Sequence, residues 1–245
     1  MWHASSEDRR AKLVDEYAEI VEATADFMTS FADRGHDGRY HLGPPVMPAQ
    51  EFYDARSTAD PTFELSYWWW GLEIARRWWD RSGRPARSDW LEVQEALSAP
   101  LVVEGRYAAV ATEAEVRRDD HPSMLAALGV APPNPLIDAS IMSATLDDVL
   151  AKWDWPSAWG WDFPMIAMTA LRLGRTDTAI DALLRDETKN QYSPVGHNPQ
   201  MGGILPLYLP GNGGVLLAVA HLASHARHKM PDGWGLHAEG FPPLP

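Results

Sequence analysis

Trp68, Trp69 and Trp70 stand side by side inside a stretch with helical periodicity. Three consecutive side chains on a helix point in three different directions. A helix lying on a surface can cover only one of these rings, so this one is buried on several sides. That places it within a layered helical body, with Trp78 and Trp79 on its later turns as further core. Asp60 followed by Pro61 reads as its start, an N-cap and then a proline at the first helical position, and the helix is expected to run to about Ser82.

The same alternation of apolar helices with Pro- and Gly-rich connections continues along the chain. Residues 5–34 read as one amphipathic helix, with Leu13, Tyr17, Ile20, Val21, Thr24, Phe27, Met28 and Phe31 at helical spacing and Gly35 closing it. Residues 88–98 form a short helix. Residues 101–110 are β-like and contain Glu104-Gly105, which suits a small hairpin. A helix over residues 137–153 carries Ile141, Met142, Leu146, Val149 and Leu150 on one face, and further helices are expected over 163–173, 176–185 and 215–226. Strand signal is otherwise almost absent, and no short repeat stands out. The prediction is an all-α fold forming one domain over residues 1–245, with short strands near 101–110 and an extended strap at the C-terminus.

Composition narrows the function. The formal net charge of −13 argues against nucleic acid and anionic membrane as partners and leaves a neutral ligand compatible. The chain has no cysteine, which excludes disulfides, thiolate metal sites and a cysteine nucleophile. No apolar run reaches the length of a membrane span. The first residues carry no signal-peptide core and a charged helix starts almost at once, as in a chain that begins inside a larger protein. No compartment is assigned on that basis.

Candidate site residues fall in three places. The stretch over residues 153–174 carries Trp153, Trp155, Trp159 and Trp161 on a loop that leads into an apolar helix, with Asp162 at the junction. Aromatic surface beside a carboxylate suits a pocket that stacks flat, hydroxyl-rich ligands. The alternative is that the tryptophans are core and Asp162 is an N-cap. Glu51 lies in the long loop over residues 36–60, flanked by Pro48, Phe52 and Tyr53, where an apolar wall would raise its pKa and suit it to donate a proton. The second long loop, residues 186–214, offers Tyr192, His197, Asn198, Gln200, Tyr208 and Asn212, a mixture of donors and acceptors that suits sugar hydroxyls. Those amides could instead bond the loop's own backbone. His121, in Asp120-His121-Pro122, is a further candidate for substrate contact, though a single histidine is more often structural. Gly211, Gly213 and Gly214 lack the Lys-Ser/Thr that a phosphate loop needs, so that reading is rejected. No metal site or cofactor is expected.

Taken in order, Pro48-Ala-Gln-Glu51, His121-Pro-Ser-Met-Leu125, Trp159-Gly-Trp-Asp-Phe-Pro164 with Ala170-Leu-Arg-Leu-Gly174, and Leu209-Pro-Gly-Asn-Gly-Gly214 resemble the C-terminal part of six-hairpin glycosidases. The nearest group is family 95 of the glycoside hydrolases, the α-L-fucosidase and α-L-galactosidase type. The match spans most of the chain in order. The resemblance implies an α/α toroid, here incomplete, with a carbohydrate substrate, Glu51 as general acid and an inverting reaction. It also exposes a departure, because the aspartate of the family's Asp-Gly-Asn loop falls at Pro210, which cannot act as a base. Asp162 is the replacement expected beside the tryptophan platform. Fewer helical segments than a closed toroid needs predict uncovered apolar faces, with pairing to a second copy or N-terminal domains missing from this chain. Three readings follow. The first is a glycoside hydrolase. The second is a non-catalytic fragment that binds carbohydrate or packs against a partner. The third and least favoured is a polysaccharide lyase using Tyr192, His197 and Asn198, for which the loops are poor in Lys and Arg.

Overall fold

The computed structural model describes residues 7–113, 117–224, 230 and 232–235. Helices carry most of the chain, and among the described residues the strands form only two short hairpins. The single helix expected at the N-terminus is two, α1 (Glu7–Glu16) and α2 (Ala18–Phe31), broken at Tyr17. α2 also stops short of Gly35. Its continuation leaves the helix as strand β1 (Ala32–Arg34), which pairs antiparallel with β2 (Tyr40–Leu42), so these backbone groups are satisfied in a ladder rather than a helical turn. The expected apolar face of this segment is only partly covered. Met28 is buried, while Ile20 and Phe27 are 63% and 55% exposed.

α3 (Thr62–Arg81) runs where the tryptophans predict it. Its start differs in detail. Asp60 does not cap it, because a φ of 47° turns its carboxylate back to accept the Leu42 N–H (2.8 Å) and to pair with His41 Nδ1 (2.6 Å). Leu65, Leu72, Ala75 and Trp79 are buried. The half-buried tryptophans bridge to earlier helices: Trp68 Nε1 donates to the Met28 carbonyl (2.9 Å) and Trp78 Nε1 to that of Val14 (3.1 Å). α4 (Ser88–Glu95) adds the fully buried Trp90 and ends early, because Ser98 donates its N–H to the Tyr40 carbonyl.

The hairpin expected near residue 104 is β3 (Val102–Val103) and β4 (Arg106–Tyr107), turned by Glu104 and Gly105 at φ 48° and 76°. Beyond it come the short α5 (Ala126–Gly129), then α6 (Ala139–Lys152), whose Asp138 accepts from the N–H groups of Ser140 and Ile141. α7 (Asp162–Arg172) is buried at every position from Asp162 to Leu171. A helix apolar all round belongs at the centre of a core, and α5, α6, α8 (Thr176–Leu183) and α9 (Leu209–Ser224) pack around it. α9 starts several residues before the expected Val215. Pro210 fits in its first turn, where its missing N–H has no helical partner to lose. Gly214 lies so close to α7 that a Cβ there would sit 2.7 Å from Pro164 Cγ.

Two buried clusters result, one around α3 and one around α7. Ser66 on α3 donates to the Ala127 carbonyl on α5 (2.6 Å) and so ties them together. Among the described residues no helix is long and apolar enough to cross a membrane. Most of the expected C-terminal strap and strand, residues 236–245, lies outside the described residues.

Candidate active site

The segment around Asp120 is tied to the tryptophan loop along its length. Asp154 donates its N–H to the Arg118 carbonyl (2.8 Å), and Trp153 Nε1 donates to the Asp120 carbonyl (2.9 Å). The Asp120 N–H donates to Ser157 Oγ (2.7 Å). These bonds hold Asp120 at φ 63°, a left-handed conformation that non-glycine residues adopt at a cost and that clusters at functional sites.

His121 follows. Its Nδ1 lies 3.0 Å from Asp162 Oδ1 and 2.9 Å from Trp161 Nε1, and its Nε2 lies 3.6 Å from Asp120 Oδ1. Asp162, on the first turn of α7, is wholly buried and also accepts the Trp159 N–H (2.7 Å). Burial pushes the Asp162 carboxyl up, against the hydrogen bond and charge of His121. Burial alone would pull the imidazole down. The hydrogen bond and charge of Asp162, with the charges of Asp120 and Glu51, outweigh it and hold His121 above the ordinary histidine value.

On the other side, the loop bearing Glu51 is fixed at the two residues before it. The Ala49 N–H donates to the Glu64 carboxylate (2.9 Å), and buried Gln50 accepts from Ser123 Oγ (2.6 Å). Glu51 itself is exposed. The aromatics beside it do not bury it, and behind the loop burial raises the Glu64 carboxyl to about 6.

These pieces line an open cavity of about 710 Å³. Glu51, Asp119 and Asp120 supply its carboxylates, and Phe52, Trp159 and Tyr208 its rings. Arg117 lies over the Phe52 ring at 3.5 Å and pairs with Asp119 (2.7 Å). Trp159 and Tyr208 sit with centroids 5.5 Å apart, and the Lys189 ammonium lies 4.8 Å from the Trp159 centroid. Burial, followed by the charges of Asp162, Asp120 and Glu51, raises the Tyr208 phenol. Among the described residues neither Glu51 nor Asp120 has an Arg or Lys within ion-pair distance.

Of the residues expected here, Glu51, His121, Trp159 and Tyr208 come together on this cavity. Asp162 does not face it. It lies beneath His121 and cannot touch a substrate, which corrects its expected role as base. Trp161 does not line the cavity either. It bonds the imidazole and meets it edge-on at 5.0 Å.

The second long loop is largely a self-bonded strap. Asn198 is fully buried and donates to the Lys189 (3.1 Å) and Gln191 (2.9 Å) carbonyls. Buried Gln200 donates to the Lys189 carbonyl (3.0 Å) and to Asn198 Oδ1 (3.1 Å). Asn212 donates to the Gly196 carbonyl (2.5 Å). His197 is exposed, and its bonds to Ser193 are made by its backbone. Tyr192 donates to the Gly211 carbonyl, so the lyase set of Tyr192, His197 and Asn198 is not assembled. Gly160 allows a close approach of the strap. A Cβ there would run into Asn198 Oδ1 and lie 2.9 Å from Gln200 Nε2.

Asp119, Asp120, Arg117, Phe52 and Ser157 were not among the expected site residues. The run Arg117-Arg118-Asp119-Asp120 reads as a charged connector, and the one clue in it is Asp120 adjoining His121. Among the described residues no group of three or more His, Asp or Glu side chains is placed to hold a metal ion. Compared with known proteins, the chain matches no family model and no curated protein.

Proposed function

We propose that this cavity binds a carbohydrate and hydrolyses a glycosidic bond by general acid–base catalysis, on a helical scaffold of the α/α-toroid kind. The observation that carries the reading is that Glu51 and Asp120 line one cavity with the Trp159 ring. Hydrolysis of this kind needs one carboxyl to protonate the leaving oxygen and one carboxylate to take a proton from the attacking water. Glu51 takes the acid role that the family resemblance implies. Asp120 takes the base role left vacant at Pro210, because its pinned backbone directs a carboxylate to the cavity that Asp162 cannot reach. The faces of Trp159 and Tyr208 offer the apolar surface on which the C–H side of a sugar ring stacks, and a cavity rich in anions favours a neutral glycan over a uronate.

The test is a panel of aryl glycosides and oligosaccharides, α-L-fucosides and α-L-galactosides among them, with product stereochemistry followed by NMR. Glu51→Gln and Asp120→Asn are each expected to lower kcat/KM by about 10²- to 10⁴-fold while melting like the parent protein. Binding of a glycan without any turnover by the parent protein would support the carbohydrate-binding alternative and overturn the catalytic one.

A further inference from the structure

We propose that Trp161 and Asp162 compete for one ring nitrogen of His121 and so set the charge of the imidazole that faces Asp120 and Glu51 in the cavity. An indole N–H can only donate, and an ionised carboxylate can only accept. Both stand within hydrogen-bond distance of Nδ1, Trp161 Nε1 at 2.9 Å and Asp162 Oδ1 at 3.0 Å. A protonated Nδ1 donates to Asp162 and turns its proton against the indole N–H. A bare Nδ1 accepts from Trp161 and brings its lone pair up to the carboxylate. No single state satisfies both neighbours. Asp162 therefore favours the charged imidazole and Trp161 opposes it.

The surroundings leave these two groups in control. Asp162 is wholly buried, so solvent cannot screen its pull. The other titratable groups on the imidazole's side of the cavity are Asp120 from its own segment, at 3.6 Å from Nε2, Glu51 from the loop before α3, and the mutually paired Arg117 and Asp119. Tyr208 joins them from the loop before α9, with its phenol raised by burial and by the charges of Asp162, Asp120 and Glu51. Lys189 sits over the Trp159 ring on that side of the cavity. Trp161 and Asp162 are thus positioning residues that touch no substrate. Through His121 they decide whether Asp120 carries a cation beside it. The consequence for turnover rests on the hydrolytic reading of the cavity. The consequence for the imidazole does not.

The test is NMR titration of the full chain with labelled histidine, following the His121 ring and the Trp161 indole N–H in the parent protein, Asp162→Asn and Trp161→Phe. The indole resonance is expected to move with the His121 midpoint. Asp162→Asn should lower that midpoint by about one to two pH units, the equivalent of losing a charge-assisted bond. Trp161→Phe should raise it by roughly half a unit to one unit, as removal of the opposing donor requires. A merely structural role gives no such pair of opposite shifts. Shifts of the same sign, or shifts under about 0.3 unit in both variants, would overturn the proposal. If Asp162→Asn does not fold by circular dichroism, Trp161→Phe decides alone, and an absent or downward shift overturns it. In an active enzyme the inflection of turnover with pH should follow the same midpoints. Absence of turnover in the parent protein counts against the hydrolytic reading and leaves the titration to judge the imidazole.

Discussion

Replacing Asn198 by alanine separates a scaffold amide from a substrate-binding one. Its side chain is fully buried and makes three hydrogen bonds, donating to the carbonyls of Lys189 (3.1 Å) and Gln191 (2.9 Å) and accepting from Gln200 Nε2 (3.1 Å). Each bond contributes about 1 kcal/mol net, and the groups left unpaired cost at least that much when buried. The Lys189 carbonyl keeps a bond from Gln200, which limits the damage. The expected loss is roughly 2–4 kcal/mol, a drop in Tm of roughly 5–15 °C for a chain of this size. His197→Ala, one residue away and exposed, should stay within about 0.5 kcal/mol of the parent. Thermal unfolding by circular dichroism, with urea denaturation for the free energy, measures both. An Asn198→Ala protein that melts like the parent yet loses glycan binding would refute this reasoning and return the residue to the substrate.

Two further outcomes concern pH. Hydrogen bonds from Arg118 and Lys152, with the charges of Arg118 and Arg106, outweigh burial and hold Asp148 down to about 2 from 3.8. A depressed carboxyl stabilises above its unfolded pKa and loses that contribution as pH falls through the folded value. Asp148→Asn should therefore cost roughly 2 kcal/mol near neutrality, and the difference should close between about pH 4 and pH 2 in parallel urea unfolding series. Glu64 has the opposite sign, since burial raises its carboxyl from 4.5 to about 6. Its ionisation opposes folding as pH rises through that window. Glu64→Gln keeps an acceptor for the Ala49 N–H and should be more stable than the parent by about 1–2 kcal/mol at pH 8, with no advantage at pH 4. A Glu64→Gln protein less stable than the parent at pH 8 but not at pH 4 would show that the ionised carboxylate itself holds the loop.

Much of the helical plan was legible in the residues. The apolar face of α6 and the apolar run of α7 state their own burial, whereas the consecutive tryptophans of α3 mark a helix but end only half-buried. Gly105 marks a hairpin turn through the left-handed conformation that glycine adopts freely, and Glu104 is carried into that region with it. The first helix was less legible, because nothing local distinguishes residues 32–34 as a strand until residues 40–42 come alongside. In the site, Glu51, His121, Trp159 and Tyr208 could be picked out as aromatics and titratable groups in loops. Asp120 could not, because its importance lies in a strained backbone pinned by Trp153 and Ser157, more than thirty residues on.

The sequence by itself determined where most of the helices lie, because periodicity and apolar content act over a few turns of chain. It also determined an acidic chain without thiol chemistry. Only the tertiary structure decided which carboxylate faces the cavity. Asp162 and Asp120 are the same residue type, each beside aromatics and each adjoining a loop. α7 carries Asp162 into the core beneath His121, while the bonds across from Trp153 and Ser157 leave Asp120 at the open side. The same holds for the amides of the second long loop. Whether Asn198 and Gln200 meet a ligand or their own chain depends on how closely Gly160 and Gly211 let the strap approach α7 and α9. Burial and partner choice are properties of distances between remote segments, and no local pattern encodes them.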